Sequence, residues 1–262
     1  MNSFILFFKK EIVESIKTVK GVVLAIIFLV LGISSPLITK LTPEILKMAL
    51  NDASPEEAQV LISVMPQPSS SESYAQFFSN FNTIGLLAVI IVFAGIVANE
   101  KSKNTAAYIL TKNISRTQFI LSKFVSSIVF VFVSLILAMG TQIFYTKFLF
   151  DDNLIDLKHV ILYFALLFLY LIFILAIVLF SSVLTKTVTS ATFFAFLIFI
   201  AFNIISSIIP KVGKYMPPDI NNFGIIMQTK NINDLKINIV ITVICSIIFI
   251  VSGIQIFKRQ EL

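Results

Sequence analysis

A chain of 262 residues, 57% of them hydrophobic and with a mean hydropathy of +0.96, carries more apolar surface than one soluble domain can bury, which excludes an ordinary water-soluble fold. Its formal charge of +6 is dispersed between apolar runs instead of being gathered on a basic face, which argues against nucleic acid as a partner. A single cysteine, Cys245, excludes a disulfide framework or a thiolate metal cluster within the chain.

Residues 1–20 read as an amphipathic helix. Phe4, Ile5, Phe8, Ile12, Ile16 and Val19 share one arc, with Lys10, Glu14 and Lys17 opposite. Such a helix lies in the membrane interface as an anchor, its lysines near anionic headgroups. The apolar run that follows is about 19 residues long and lacks a small-x-small cleavage site, so it is expected to be a retained first span and not a signal peptide.

Six runs free of Asp, Glu, Lys, Arg and His occupy about 21–39, 80–98, 124–146, 160–185, 187–209 and 237–257. Lipid offers no hydrogen-bond partners, so runs of about 20 apolar residues must span as helices. The expected fold class is an all-α membrane protein forming a single domain. It has six transmembrane helices, both termini inside, an N-terminal interfacial helix and short extracellular helices.

Charge sets the expected orientation. The intervals assigned to the inside hold twelve Lys and Arg against four Asp and Glu; those outside hold eight against ten. This is the positive-inside bias, and it puts both termini in the cytoplasm.

The 40–79 interval is the largest outside segment. Thr42-Pro43-Glu44 and the capping box Ser54-Pro55-Glu56-Glu57 predict two external helices, roughly 43–51 and 55–65. All eight prolines are expected at or beyond the outer ends of spans, because a helix interior tolerates proline poorly. Between spans three and four, Asp151, Asp152 and Asp156 read as a solvated acidic loop, since calcium-loop spacing and its turn glycine are missing. His159 has no second imidazole or thiolate nearby and reads as an interface residue. Spans four and five turn tightly around Lys186, and Phe223–Met227 forms a semi-apolar patch between spans five and six.

The interval 99–123 carries the strongest signal. Lys101, Lys103, Lys112, Arg116 and Lys123 face Glu100 alone. Asn104 to Lys112 predicts two helical turns along the membrane surface, with Tyr108, Ile109 and Leu110 available to a partner. Ser115 with Gln118 makes a capping box, and Ile114 with Phe119 a hydrophobic staple, so the next helix starts there.

This stretch resembles the cytoplasmic loop of ABC-2 type transporter permeases. Glu100 matches the acidic residue closing the second span, Ala107-Tyr108-Ile109-Leu110 the Leu-rich helix, Ile114-Ser115-Arg116-Thr117 the (I/V)SR(T/S) turn, and Lys123 the lysine opening the third span. Asn104 and Asn113 stand where that family has glycine and proline. The resemblance implies a permease of a bacterial plasma membrane, paired with a second copy or a paralogue, and driven by two cytoplasmic ABC ATPase subunits. ATP and magnesium would be held by those partners. It further implies ATPase coupling through Glu100, Tyr108, Ile109, Leu110, Ser115, Arg116 and Lys123, and outward movement of an antimicrobial peptide, drug or lipid.

The chain's own chemistry fits an external energy source. Gly213-Lys214 lacks the upstream glycine of a phosphate-binding loop, and one histidine leaves little for acid–base catalysis, so an enzyme is not expected. The six runs hold no ionisable group with which to couple an ion gradient. Among their neutral polar residues, Thr141, Gln142 and Asn203 are candidates for lining a path, against the alternative of bonding neighbouring helices. A stand-alone carrier, immunity or sensor protein acting without ATP is the other reading.

Overall fold

The computed structural model describes residues 3–49, 68–111, 114–150, 157–221 and 235–260. Among these residues there is no strand, and six helices are long and apolar enough to cross a membrane: Lys20–Leu46, Ser70–Ser102, Arg116–Leu149, Lys158–Leu184, Val188–Ile208 and Lys236–Arg259.

Helix α1 (Ser3–Lys17) turns into α2 (Lys20–Ala49) through Thr18 and Val19. Val19 has φ 61°, a left-handed conformation that crowds a β-branched side chain and fixes a sharp corner. The α2 helix corrects two expectations. It runs on through Pro36 and Pro43, so there is no separate helix starting at 43, and these two prolines lie inside a helix. The hydroxyls of Ser35, Thr39 and Thr42 donate to the Leu31, Ser35 and Ile38 carbonyls around the two prolines. Hydroxyl back-bonding of this kind helps a spanning helix absorb proline where no water competes. The predicted helix at 55–65, the acidic residues 151, 152 and 156, and the 223–227 patch lie outside the described residues.

The second span is built from α3 (Ser70–Asn80), a π-turn (Phe81–Gly85), α4 (Leu86–Phe93) and α5 (Gly95–Ser102). It starts ten residues before the expected 80, because the Ser69 hydroxyl accepts from the Glu72 N–H at 3.2 Å and caps the helix there. At Ala94 the ladder is interrupted by a neighbour. Ser182 Oγ accepts from the N–H groups of Val97 (3.0 Å) and Ala98 (2.9 Å) and donates to the Ala94 carbonyl (2.7 Å). Side-chain insertion is a recognised cause of a helix break, and here it separates α4 from α5.

The short α6 (Thr105–Leu110) follows Asn104, whose φ of 54° reverses the chain. The predicted capping box is present in both directions, Ser115 Oγ with the Gln118 N–H and Gln118 Oε1 with the Ser115 N–H, and it starts α7 (Arg116–Leu149). The third span therefore extends well beyond the expected 124–146. A tight hairpin at Thr185–Thr187 joins α8 (Leu157–Leu184) to α9 (Val188–Ile208). After α10 (Pro210–Gly213) and a 3-10 turn (Pro217–Asn221) comes α11 (Lys236–Arg259).

Packing is uneven. In α8 the most apolar stretch is 67% buried, whereas in α9 it is only 11% buried, so among the described residues α8 is the central post and most of the α9 surface is left uncovered by the rest of the chain. The α2 and α7 helices share the longest interface. At Gly32 an added Cβ would collide with Thr141 Oγ1 and the Ala138 carbonyl, so this glycine is what permits the close approach.

Candidate functional site

One end of the bundle gathers α1, α6, the α8–α9 hairpin and the end of α11. Lys101 Nζ donates to the Val183 carbonyl at 2.7 Å, and Gln260 Nε2 donates to the same oxygen at 3.0 Å. Arg116, at the first turn of α7, donates through Nη1 to the carbonyls of Phe257, Lys258 and Gln260 at 2.9, 2.9 and 2.6 Å. A guanidinium held there satisfies acceptors that the C-terminus of α11 would otherwise leave open.

At the centre of this end lies a buried ion cluster. Lys123 is 4% exposed, and its Nζ sits 2.8 Å from Glu11 Oε2 and 2.7 Å from Glu100 Oε1. One cation thus joins α1, the second span and the third. Lys10 adds a second cation, 3.1 Å from Glu11 Oε1, 3.7 Å from Glu100 Oε1 and paired with Glu14 Oε2. Beside it the rings of Phe7, Phe119 and Phe257 stack at 5.6 and 5.3 Å, with Lys123 Nζ 5.2 Å from the Phe119 ring centre. Charges this deep are tolerated only when paired, which sets the geometry tightly. Glu100 Oε2 is the exception, a buried oxygen with no hydrogen-bond partner among the described residues.

Two groups of the cluster outside the spans titrate abnormally. Burial alone would depress the Lys10 ammonium, but its hydrogen bond to Glu14 and the charges of Glu11 and Glu100 outweigh that and raise it. Burial alone would raise the Glu14 carboxyl, yet its bond to Lys10 and the nearby ammonium groups of Lys10, Lys123 and Lys20 hold it below its ordinary value.

A cavity of about 250 Å³ opens beside the cluster. Glu11, Glu14, Glu100, Lys20, Lys103 and Lys123 line its polar side. Val92, Phe93 and Ile96 of the second span line its apolar side.

The structure brings Glu100, Ser115, Arg116 and Lys123 to this one end, and it gives each a partner within the protein. Tyr108 is 65% exposed, whereas Ile109 and Leu110 are half-buried against the protein's own core. Lys112 and Asn113 lie outside the described residues. Thr141 Oγ1 donates to the Leu137 and Ala138 carbonyls, each at 3.0 Å. Gln142 ties α7 to α3, its Nε2 donating to Ser73 O and Oγ at 3.2 and 3.0 Å and to Thr146 Oγ1 at 3.3 Å. On α9, Asn203 Nδ2 donates to the Phe199 carbonyl at 2.8 Å.

One expectation needs correction. The spanning helices do hold buried ionisable groups: an apolar-run criterion stops at the first charge, but the helices continue through Glu100 and Lys123 because each neutralises the other. The face that α1 turns to the bundle holds Phe7 and Glu11, which are buried, while Ile5, Ile16 and Val19 of its apolar arc stay exposed. Glu11 was missed. The available signal was an acid one helical turn after Phe7, on the line the bundle occupies.

The profile of a family described as "Protein of unknown function (DUF2705)" matches residues 55–262. The chain belongs to the DUF2705 family. That family, and not the ABC-2 type permeases that the 99–123 loop resembles, is what the chain matches, and the earlier assignment is corrected accordingly. Ser115-Arg116-Thr117 turns out to be a helix start with a capping box, which any helix beginning at a membrane surface can use, so the motif discriminates poorly. A curated relative, "Uncharacterized transmembrane protein YxlG" of Bacillus subtilis (strain 168), is 29% identical over 152 residues, 58% of this chain and 57% of that protein. The chain thus matches a little over half the length of that relative. With six apolar helices and a transmembrane relative, this DUF2705 protein is a multi-pass membrane protein.

Proposed function

We propose that this chain is the membrane permease subunit of an ATP-driven exporter, moved by separate ATPase subunits at the end of the bundle that carries α1 and α6. One observation carries the reading: α6 is strung between α5 and α7, whose Glu100 and Lys123 are locked to each other and to Glu11 of α1. A push on α6 would therefore reach two spans and the interfacial helix together, without the slack of a free loop. The exposed face around Tyr108 supplies a surface to push on. The positive-inside charge bias supports placing this end, and both termini, in the cytoplasm, with the chain in the plasma membrane. ATP and magnesium belong to the partner. A hydrophobic or amphipathic cargo, such as an antimicrobial peptide, a drug or a lipid, suits spanning helices of such apolar composition.

The test is to co-express the chain with a candidate ABC ATPase subunit and to measure ATP-dependent uptake of a hydrophobic dye into inside-out vesicles. Tyr108→Arg should leave the fold intact and abolish both retention of the ATPase and uptake. Uptake that proceeds unchanged without ATP would refute the proposal.

The buried Glu100–Lys123 pair favours one other reading, a stand-alone carrier, because it supplies ionisable groups buried between the helices, of the kind that ion coupling uses. Dissipating the proton and sodium gradients separates the two: it stops the carrier and leaves an ATP-driven exporter running.

A further inference from the structure

Helix α1 is fastened to the bundle at one level and stands off it at the next. Its packing partners are chiefly α7 and α2. Phe7 and Glu11 are its buried residues, and Lys123, paired with both Glu11 and Glu100, holds that level of the helix to the second and third spans. One turn later the close packing stops. The cavity of about 250 Å³ has Glu14, Ser15 and Thr18 on its α1 side and Ile96, Asn99 and Lys103 on the side of the second span. Behind this half of α1, the corner residue Val19 is held at φ 61°, a conformation that a β-branched residue keeps only while its surroundings impose it.

The charges around the cavity allow a second pairing. Glu14, 45% exposed, is paired with Lys10 of its own helix. Lys20 and Lys103 line the same cavity as Glu14, and neither forms an ion pair among the described residues. A shift of Glu14 into the cavity would give both of them a counter-charge. Lys10 would not be stranded by that shift, because its Nζ keeps Glu11 Oε1 at 3.1 Å and Glu100 Oε1 at 3.7 Å. The two arrangements thus differ by the exchange of one partly exposed ion pair, which is worth little, so both are within thermal reach.

What such a movement reaches is the interruption in the second span. Gly95 and Ile96 of the cavity lining directly follow Ala94, where Ser182 breaks the ladder between α4 and α5. We propose that α1 is a strap poised to close. Pivoting on the Glu11–Lys123–Glu100 pairs, its C-terminal half folds into the cavity, Glu14 exchanges Lys10 for Lys103 and Lys20, and α1 then braces the second span on the C-terminal side of its break. The pivot pairs stay intact throughout, so the strap is independent of whether an ATPase drives the protein.

The experiment uses the full-length chain in lipid nanodiscs, carrying Cys245→Ser, Ser15→Cys and Asn99→Cys, so that one thiol lies on each side of the cavity. Oxidation with copper phenanthroline reads direct contact of the two thiols, and a long flexible bismaleimide reads their presence on a docked α1. The direct disulfide should form in this parent protein. Glu14→Lys and Lys103→Glu, both at exposed or half-exposed positions, should each slow it about fivefold, the scale of one partly exposed ion pair. The two changes together should be faster than either alone, a rescue between residues that form no ion pair in the structure. The long bridge should form alike in all four proteins. No direct disulfide in the parent, single variants as fast as the parent, or a double variant as slow as the singles would overturn the proposal. A direct disulfide that falls only in step with the long bridge would overturn it too, because it would report loss of α1 docking and not closure.

Discussion

Replacing Lys123 by Met tests the central claim that one buried cation binds three helices together. The substitution keeps the volume and removes the charge, leaving Glu11 and Glu100 facing each other at exposures of 5% and 7%. Stripping one partner from a buried ion pair costs about 3–5 kcal/mol, because the desolvated charge left behind is uncompensated. Lys10 remains near both carboxylates but is itself 42% exposed and therefore screened, so the lower end, about 3 kcal/mol, is expected. At roughly 2–4 °C per kcal/mol for a chain of this size, the apparent Tm should fall by about 6–12 °C. The chain has no tryptophan but a single thiol, Cys245, partly buried in α11, so a fluorogenic maleimide reports unfolding directly. The control is the triple variant Glu11→Gln, Lys123→Met, Glu100→Gln. Replacing a whole buried ionic group by neutral side chains is often close to neutral, so most of the lost Tm should return. A loss below about 1 kcal/mol in the single variant, the level of an exposed pair, would refute the reasoning. So would a triple variant no more stable than the single one.

Gly32→Val should lower the apparent Tm through a cost of about 1–3 kcal/mol, since the new side chain enters space held by Thr141 and the Ala138 carbonyl; Thr141→Ala in the same chain should recover part of it. Ser182→Ala removes the hydroxyl bridging Ala94 to Val97 and Ala98, and a loss of about 1–3 kcal/mol is expected, read as faster hydrogen exchange at the Val97 and Ala98 amides. Acid should loosen α1. The Glu14 carboxyl is held below its ordinary 4.5, so its contribution is present above that pH and is lost as the pH falls through the lowered folded value. Thermal melts from neutral pH downward should show that decline, and Glu14→Gln should flatten it; since Glu14 is 45% exposed, the effect is small beside that of Lys123.

Chain composition alone determined that this is a helical membrane protein with six spans, because about 20 uncharged residues in lipid have no other way to satisfy their backbone. Local sequence also determined the start of α7, since the capping box of Ser115 and Gln118 needs only four consecutive residues. It could not determine where spans end. Pro36 and Pro43 read as boundaries, and the helix passes through both in a medium where water does not compete. Glu100 and Lys123 likewise read as the edges of apolar runs, and only the tertiary structure revealed that they meet, 23 positions apart in sequence, inside continuous helices. The partner that completes the cluster, Glu11, comes from 112 positions away and looks like one more charge on an interfacial helix. The energy of a buried charge depends on which opposite charge folding brings within about 3 Å, and no local pattern encodes that distance.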